Sequence, residues 1–402
     1  MSMYSIGEVA MIGRRLIAII GVVVSAAVLT GCESKPVVGV VLLITGSASG
    51  YGVSIESGMR LAINDARDTG QLPAQFEVVW VDSESDPAKG IAEIRRLVDE
   101  RGAKMILGGA TSAEAGALVE VLDDINIVCL SPSASTPGLT KRSKLFYRIY
   151  PSDQLEGHTA GKFMIDRLGA TETVLFVGNH DYVAGIEPEF RRQYEDALGG
   201  VVVTTVDLSS EGWEEMVPGV LRKHKPVAVY IVGYAEEILE AILQLRADGF
   251  KGRIVTTSAF FTSEILKKSG DASEGVLFPL PPFDRTVETE PVVSFVHRYM
   301  DTFERAPDVF AAHGYDAMKI AIQVFGIARP PETPEINKAL HFGVTDFMGV
   351  TGPILFDDHG DVKHYPKMFI VKDGQVLGYR RYLDAERKRI LRQVQNLLIS
   401  EG

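Results

Sequence analysis

Two segments rich in hydroxyl groups are the first candidates for chemistry in this sequence. Gly108-Gly109-Ala110-Thr111-Ser112 follows a short apolar run and leads into a stretch with helical periodicity. Ser131-Pro132-Ser133-Ala134-Ser135-Thr136-Pro137 follows the next apolar run. Hydroxyls and unpaired backbone N–H groups at a helix start suit an anionic group such as a carboxylate. Ser112 as an N-cap and 131–137 as a turn would explain each segment alone; two such loops after successive runs favour a site. Covalent chemistry finds little support. Gly46-Ser47-Ala48-Ser49-Gly50 puts alanine where a G-x-S-x-G elbow needs its serine. Neither a Walker A loop nor G-x-G-x-x-G occurs, so no nucleotide cofactor is expected. The 8 histidines form no H-x-x-x-H pair and no C-x-x-C exists, so no metal site is expected. Asp357, Asp358 and Asp361 lack EF-hand spacing and read as turn formers. His180 and Asp181 are adjacent on a strand or loop, where neighbouring side chains point apart, so they make a poor acid–base pair. These patterns point away from an enzyme.

The chain has 402 residues, enough for two cores, with 46% hydrophobic and 23% charged residues, as in ordinary globular proteins. A net charge of −12 gives no basic footprint for nucleic acid. The 2 cysteines, Cys32 and Cys129, lie in unlike contexts. Cys129 falls in an apolar run and reads as an unpaired core thiol. Near the N-terminus, Arg14 and Arg15 precede an apolar run over 16–28, followed by Leu29-Thr30-Gly31-Cys32. That run is shorter than the roughly 20 residues that span a bilayer, and has the flanks of a signal-peptide core. The ending resembles the bacterial lipobox, which implies removal of residues 1–31, acylation of Cys32, and a lipid anchor holding the rest outside the cytoplasm. The arginine pair alone does not argue for twin-arginine export.

The candidate residues must be positioned by the elements around them, and these alternate regularly. Apolar runs at 37–43, 76–81, 104–107 and 127–130 read as buried parallel strands. Stretches 56–68, 87–100 and 113–124 between them have helical spacing. After Tyr150 the alternation resumes, with strands at 174–177, 201–206, 228–232 and 253–257. The helices there are 154–168, 185–198, 214–224 and 236–248. Repeated strand–helix units build doubly wound parallel sheets, here two Rossmann-like α/β lobes in succession. The Pro-rich segment 278–282 closes the second set and is not expected inside a sheet. Beyond it, 291–303 and 312–327 read as helices, and 367–371 with 375–379 as a hairpin around Lys372-Asp373-Gly374. In the tail, Leu383, Ile390, Leu391, Val394, Leu397 and Leu398 form one helical stripe, expected to pack on its own lobe, with a partner helix as the alternative.

The order of these motifs resembles the leucine/isoleucine/valine-binding protein family, the type I periplasmic solute-binding proteins of branched-chain amino-acid ABC transporters. The likeness runs through Gly46–Gly52 as a sequence segment, the helix with Gly58 and Ala62, and Asp82-Ser83-Glu84-Ser85-Asp86-Pro87. It continues through the two hydroxyl loops, Tyr315-Asp316-Ala317, and Thr351-Gly352-Pro353-Ile354-Leu355-Phe356-Asp357 before Gly360-Asp361. The resemblance implies three crossovers between a first lobe (37–150 plus 282–355) and a second (151–281 plus 356–402). A ligand would bind in the cleft by hinge closure. It implies that Ser112, Ser133 and Ser135 hold a ligand carboxylate, that Tyr51 lies at the rim, and that Tyr182 and Tyr234 form an aromatic wall, with Phe260 as a further contact. It also implies an ABC permease as partner.

One departure bears on the ligand. Amino-acid-binding members of this family carry an acid after the strand corresponding to 253–257, where this chain has Thr257-Ser258-Ala259-Phe260-Phe261. An ammonium buried without a counter-charge costs several kcal/mol. Either Asp181 or Glu236 substitutes, or the ligand lacks an ammonium, in which case deaminated acids bind better than amino acids. The expected function is thus a binding lipoprotein of an importer, taking a small carboxylate or amino-acid-like solute. A ligand-sensing receptor signalling to a membrane partner is the alternative.

Overall fold

The computed structural model describes residues 37–400, apart from 47, 74, 75, 262 and 289. The expected signal segment 1–31 and Cys32 lie outside the described residues. The β-branched runs of the first half become parallel strands β1 (Val37–Leu42), β2 (Glu77–Asp82), β3 (Ala103–Leu107), β4 (Val128–Ser131) and β5 (Phe146–Arg148). They form one sheet in the order β2-β1-β3-β4-β5. Helices α1 (Ser49–Asp68), α2 (Pro87–Arg101), α3 (Ser112–Leu118) and α4 (Leu122–Ile125) connect them, so the helix expected over 113–124 is split in two. Local chemistry sets the ends of α2. Asp86 accepts hydrogen bonds from the backbone N–H groups of Ala88 and Lys89, Pro87 starts the first turn, and Gly102 at φ 62° ends the helix. Cys129 is a free thiol, fully buried in β4, and burial pushes its pKa up.

The second half builds β6 (Glu172–Val177), β7 (Val201–Asp207), β8 (Ala228–Val232), β9 (Arg253–Thr256) and β10 (Leu277–Leu280), with helices α5 (Gln154–Asp166), α6 (Asp181–Arg191), α7 (Trp213–His224), α8 (Ala235–Ala247) and α9 (Ser263–Ser269). After them come α10 (Val292–Phe303), α11 (Val309–Ile327), α12 (Thr333–Lys338), the small pair β11 (Phe347–Gly349) and β12 (Gly352–Ile354), the hairpin β13 (Lys367–Lys372) and β14 (Gln375–Gly378), and α13 (Tyr379–Ser400). The second sheet runs β14-β13-β10-β9-β8-β6-β7. β10 corrects the expectation that 278–282 stays out of a sheet, because it lies between β9 and β13. It is tolerated because β10 meets β9 at one position, Leu277 beside Val255, so Pro279 lies past that ladder while β13 pairs along the other edge.

Two lobes follow from which residues share a core. Val38, Leu42 and Ile55 bury with Phe295, Tyr315 and Phe325 from α10 and α11, so the chain returns to the first sheet after completing most of the second. Gly58 and Gly314 let α1 and α11 cross closely. A Cβ on Gly58 would stand 1.9 Å from the carbonyl oxygen of Ala311, and one on Gly314 would stand 2.4 Å from that of Ile55. Phe356 and Val362 also bury in the first core, and Arg148 of β5 pairs with Asp361. Residues 356–362 therefore pack with the first lobe, a correction to the boundary expected at 356. The tail needs a correction too. Tyr379 meets Phe163 edge-on at 4.8 Å, but Leu383, Ile390, Leu391 and Val394 are exposed, so the stripe does not pack on its own lobe beyond the start of α13. The side chains of Leu397 and Leu398 lie outside the described ones.

Candidate functional site

The two hydroxyl loops sit at the carboxyl ends of β3 and β4, where ligands of open α/β sheets bind. The N-cap of α3 is Thr111, not Ser112: its side chain accepts from the Glu114 N–H at 3.2 Å and Glu114 answers in a capping box. That frees the Ser112 hydroxyl to accept from the N–H of Thr136 at 3.2 Å. Ser133 Oγ donates to the carbonyl of Ala110 at 2.5 Å, and Ser131 Oγ to that of Gly109 at 2.8 Å. The serines therefore lace one loop to the other. Arg148, fully buried, holds them from behind through the carbonyls of Ala134 (3.3 Å) and Thr136 (2.8 Å) while its guanidinium pairs with Asp361 at 2.9 Å. Ser135 reaches furthest, donating to Asp153 Oδ2 at 3.1 Å on the first crossover.

Aromatic rings flank this junction. Tyr51, half-exposed at the start of α1, meets Phe310 edge-on at 4.7 Å, and Tyr150 stacks on Phe310 at 6.1 Å with His313 4.8 Å away. Beyond β6 and β8, Tyr182, Tyr234 and His180 form a stack: His180 lies 3.7 Å from Tyr234, which lies 5.8 Å from Tyr182. Glu237 fixes the stack, contacting His180 Nε2 at 2.9 Å and accepting from the N–H of Tyr234 at 2.7 Å. The structure thus brings Ser112, Ser133 and Ser135 together in one pair of loops, and Tyr182 and Tyr234 together in one wall. Phe260 joins neither. It is fully buried in the second core, 5.3 Å from Phe278, because its short helical turn points it inward. Its neighbour Phe261 is exposed instead and lines a cavity of about 500 Å³ with Phe283, Asp308 and Val309.

The sequence reading missed Asp153 and Glu156. Gly157 lets α5 approach α6, since a Cβ there would stand 2.5 Å from the carbonyl of Ile186. The preceding residue, Glu156, is thereby buried near Tyr182 and the turn after β9. Its Oε2 accepts from the N–H of Ser258 at 3.0 Å and from the Tyr182 hydroxyl at 3.4 Å. Burial, reinforced by the Asp153 carboxylate, pushes Glu156 up to about 8, and burial also raises Asp153. Burial raises the phenols of Tyr150 and Tyr182 well above their ordinary range, and Glu156 and Asp153 add to both shifts. The expected lack of a carboxylate beside 257–261 is therefore corrected: a helix preceding that strand supplies one. Of the two substitutes considered, Glu236 pairs with Lys268 at 2.7 Å near the surface, and the side chain of Asp181 lies outside the described ones. Two acids at i and i+3 opening a helix are an ordinary sequence pattern; only their burial sets them apart. Among the described residues, no group of three His, Cys, Asp or Glu side chains is placed to hold a metal ion.

Known proteins share this architecture. Residues 36–375 match the family profile described as periplasmic binding protein. The leucine-, isoleucine-, valine-, threonine-, and alanine-binding protein of Pseudomonas aeruginosa is 27% identical over 330 residues, 80% of this chain and 86% of that one. The branched-chain amino acid transporter substrate binding protein of Streptococcus pneumoniae, solved with isoleucine, aligns at 26% identity and TM-score 0.69 over 85% of this chain and 97% of its own. An R. palustris solute binding protein solved with benzoate shares the fold at 20% identity and TM-score 0.66, over 85% of this chain and 94% of its own. The last two hold an amino acid and an aromatic acid, so the fold alone does not name a ligand. A two-lobed α/β architecture and a profile match over most of the length lead to one conclusion: this chain belongs to the periplasmic binding protein family, the substrate-binding proteins of ABC transporters, which are not enzymes.

Proposed function

We propose that this chain is the lipid-anchored, extracytoplasmic solute-binding subunit of an ABC importer, and that it captures a small carboxylate of amino-acid size between its lobes. The observation that carries this reading is the junction itself. Loops laced by Ser112, Ser131 and Ser133 lie on one side, with Ser135 reaching Asp153 on the first crossover, and the Tyr182–Tyr234 wall lies at the strand ends of the other sheet. The loops supply backbone N–H groups for a carboxylate, and the rings supply apolar walls for its body. Tyr51 covers the rim. A ligand touching both lobes favours the closed arrangement over the open one and so drives hinge closure, which an importer permease can read. Acylated Cys32 would keep the protein beside that permease. The names of the Pseudomonas and Streptococcus relatives make branched-chain amino acids the first probes.

The test is calorimetry with leucine, isoleucine, valine and phenylalanine and their deaminated analogues, paired with small-angle scattering. The expected result is saturable binding of at least one probe together with a smaller radius of gyration. Failure of every probe, with no solute co-purifying in native mass spectrometry, would remove the reading.

A further inference from the structure

We propose that α13 is a membrane-contact element: its apolar stripe rests in the headgroup layer of an anionic phospholipid bilayer while its basic side chains reach the phosphates. The inference does not depend on which solute the cleft holds, and it adds a second attachment to the acyl anchor expected at Cys32.

Helix α13 lies beyond the family match, which ends at residue 375. Its sequence uses one spacing twice. Leu383, Ile390 and Val394 recur at i, i+7 and i+11, with Leu391 beside them, so they form one face. Arg381, Lys388 and Arg392 follow the same spacing two residues earlier, about 200° around the helix, and so take the opposite face. Only the start of the helix is packed. Tyr379 meets Phe163 and Tyr382, and Arg381 donates to the carbonyl of Thr286 at 3.4 Å. From Arg387 through Asn396 every residue is exposed. Leu383, Ile390, Leu391 and Val394 are between 41% and 54% exposed. Adjoining large apolar side chains left in water mark a docking face, unlike scattered single ones.

Charge selects the occupant. The helix holds six Arg or Lys against two acids, in a chain whose net charge is −12. One of those acids, Glu386, is already held by Arg389 at 2.6 Å. An anionic lipid surface attracts this helix and repels the negative excess of the rest of the chain, which sets the side that faces the membrane. A second copy fits less well. Its α13 carries the same positive excess, and Arg387 lies on the stripe itself, four residues after Leu383 and three before Ile390. A helix-to-helix seam would bury that charge. At a bilayer the Arg387 stem lies along the apolar face and its guanidinium turns up to the phosphates. The helix lies on the surface without crossing it, since among the described residues no helix is long and apolar enough to span a membrane. Salt weakens such a contact but not the hold of acyl chains. A salt wash therefore strips it, and fractionation after that wash reads the Cys32 anchor alone.

The experiment takes the mature chain from residue 32 with Cys32→Ser, so that no acyl chain contributes. It is sedimented with vesicles of phosphatidylcholine, alone or mixed in equal parts with phosphatidylglycerol. Binding to the mixed vesicles should be at least about tenfold tighter than to phosphatidylcholine and should fall steeply as sodium chloride is raised. The variants Ile390→Ser/Leu391→Ser/Val394→Ser and Lys388→Gln/Arg389→Gln/Arg392→Gln should each lose at least about tenfold in that binding. Both alter exposed residues away from the cleft, so solute binding measured by calorimetry should be unchanged. If a variant does not fold, the two vesicle types and the salt dependence of the parent chain decide the matter. Equal binding to both vesicles, indifference to salt, or variants that bind like the parent would overturn the inference. So would a lack of vesicle binding, and sedimentation equilibrium would then show whether the stripe joins a second copy instead. Any of these failures leaves the solute-binding reading standing, because calorimetry tests that separately.

Discussion

A carboxylate kept protonated by its surroundings changes how the protein responds to pH even without ligand. An ordinary Glu titrates near 4.3 in an unfolded chain, whereas burial and then Asp153 hold Glu156 up at about 8 in the folded one. Between those values the folded state binds more protons than the unfolded state, so stability falls as pH rises. The contribution is complete below about pH 4 and is lost as pH passes through about 8. Burial raises Asp153 and Asp316 in the same direction, each to about 6. Below about pH 6.5 the buried His313 and His364, whose pKa values burial lowers, act in the opposite sense, so the denaturation midpoint of the free protein should decline between about pH 6.5 and 8, and Glu156→Gln should flatten that decline. An identical slope in the variant would assign the effect to the other acids. Arg148 is the opposite case, a buried cation fully engaged by Asp361 and by two backbone carbonyls, so its role is to hold the 131–137 loop.

Among the elements, the crossing of α1 and α11 ties together chain segments separated by the whole second sheet. Its closeness depends on two positions without a Cβ, Gly58 and Gly314, each facing a backbone carbonyl of the other helix. Backbone cannot rotate away as a side chain can, so an added methyl forces the helices apart. Overpacking of this kind costs about 1–3 kcal/mol. Gly58→Ala should lower the urea-unfolding free energy by about that much; a change below about 0.5 kcal/mol would mean that the crossing yields easily. Gly157 does the same for α5 and α6, with a different outcome, since the approach it permits brings Glu156 beneath Tyr182.

For the whole molecule, the chain crosses between lobes around 150, 282 and 363, and the first crossover carries Asp153 and leads into Glu156. Asp153 therefore stands where the chain passes from the first sheet to the second, tied back to the first by Ser135. Position in the cell depends on the other end of the chain. If Cys32 carries acyl chains, Cys32→Ser should move the protein from the membrane fraction to the soluble fraction on cell fractionation, because more than one chain gives stable anchoring and none gives none. Retention of the variant on membranes would refute the anchor.

Much of the fold was readable before any coordinates. Strands announce themselves by β-branched runs and helices by periodic apolar faces, and the alternation of the two dictates parallel sheets; these are local signals, carried by neighbours in sequence. The serine loops were legible for the same reason, lying at strand ends between Gly and Pro. What required tertiary structure was every property that depends on distant neighbours. Phe260 and Phe261 are adjacent aromatics that both meet Phe278, and only their placement in the tertiary structure decides that Phe260 is core while Phe261 faces a cavity. The stripe on α13 has the pattern of a buried face, yet contacts near Tyr379 end before Leu383. Pro279 enters a sheet because its neighbouring strand stops short. Asp153 and Glu156 look in sequence like the acidic first turn of any helix. Glu156 is buried because Gly157 lets α5 and α6 close up and the turn after β9 arrives from 102 residues further along the chain, a desolvation that no local pattern encodes.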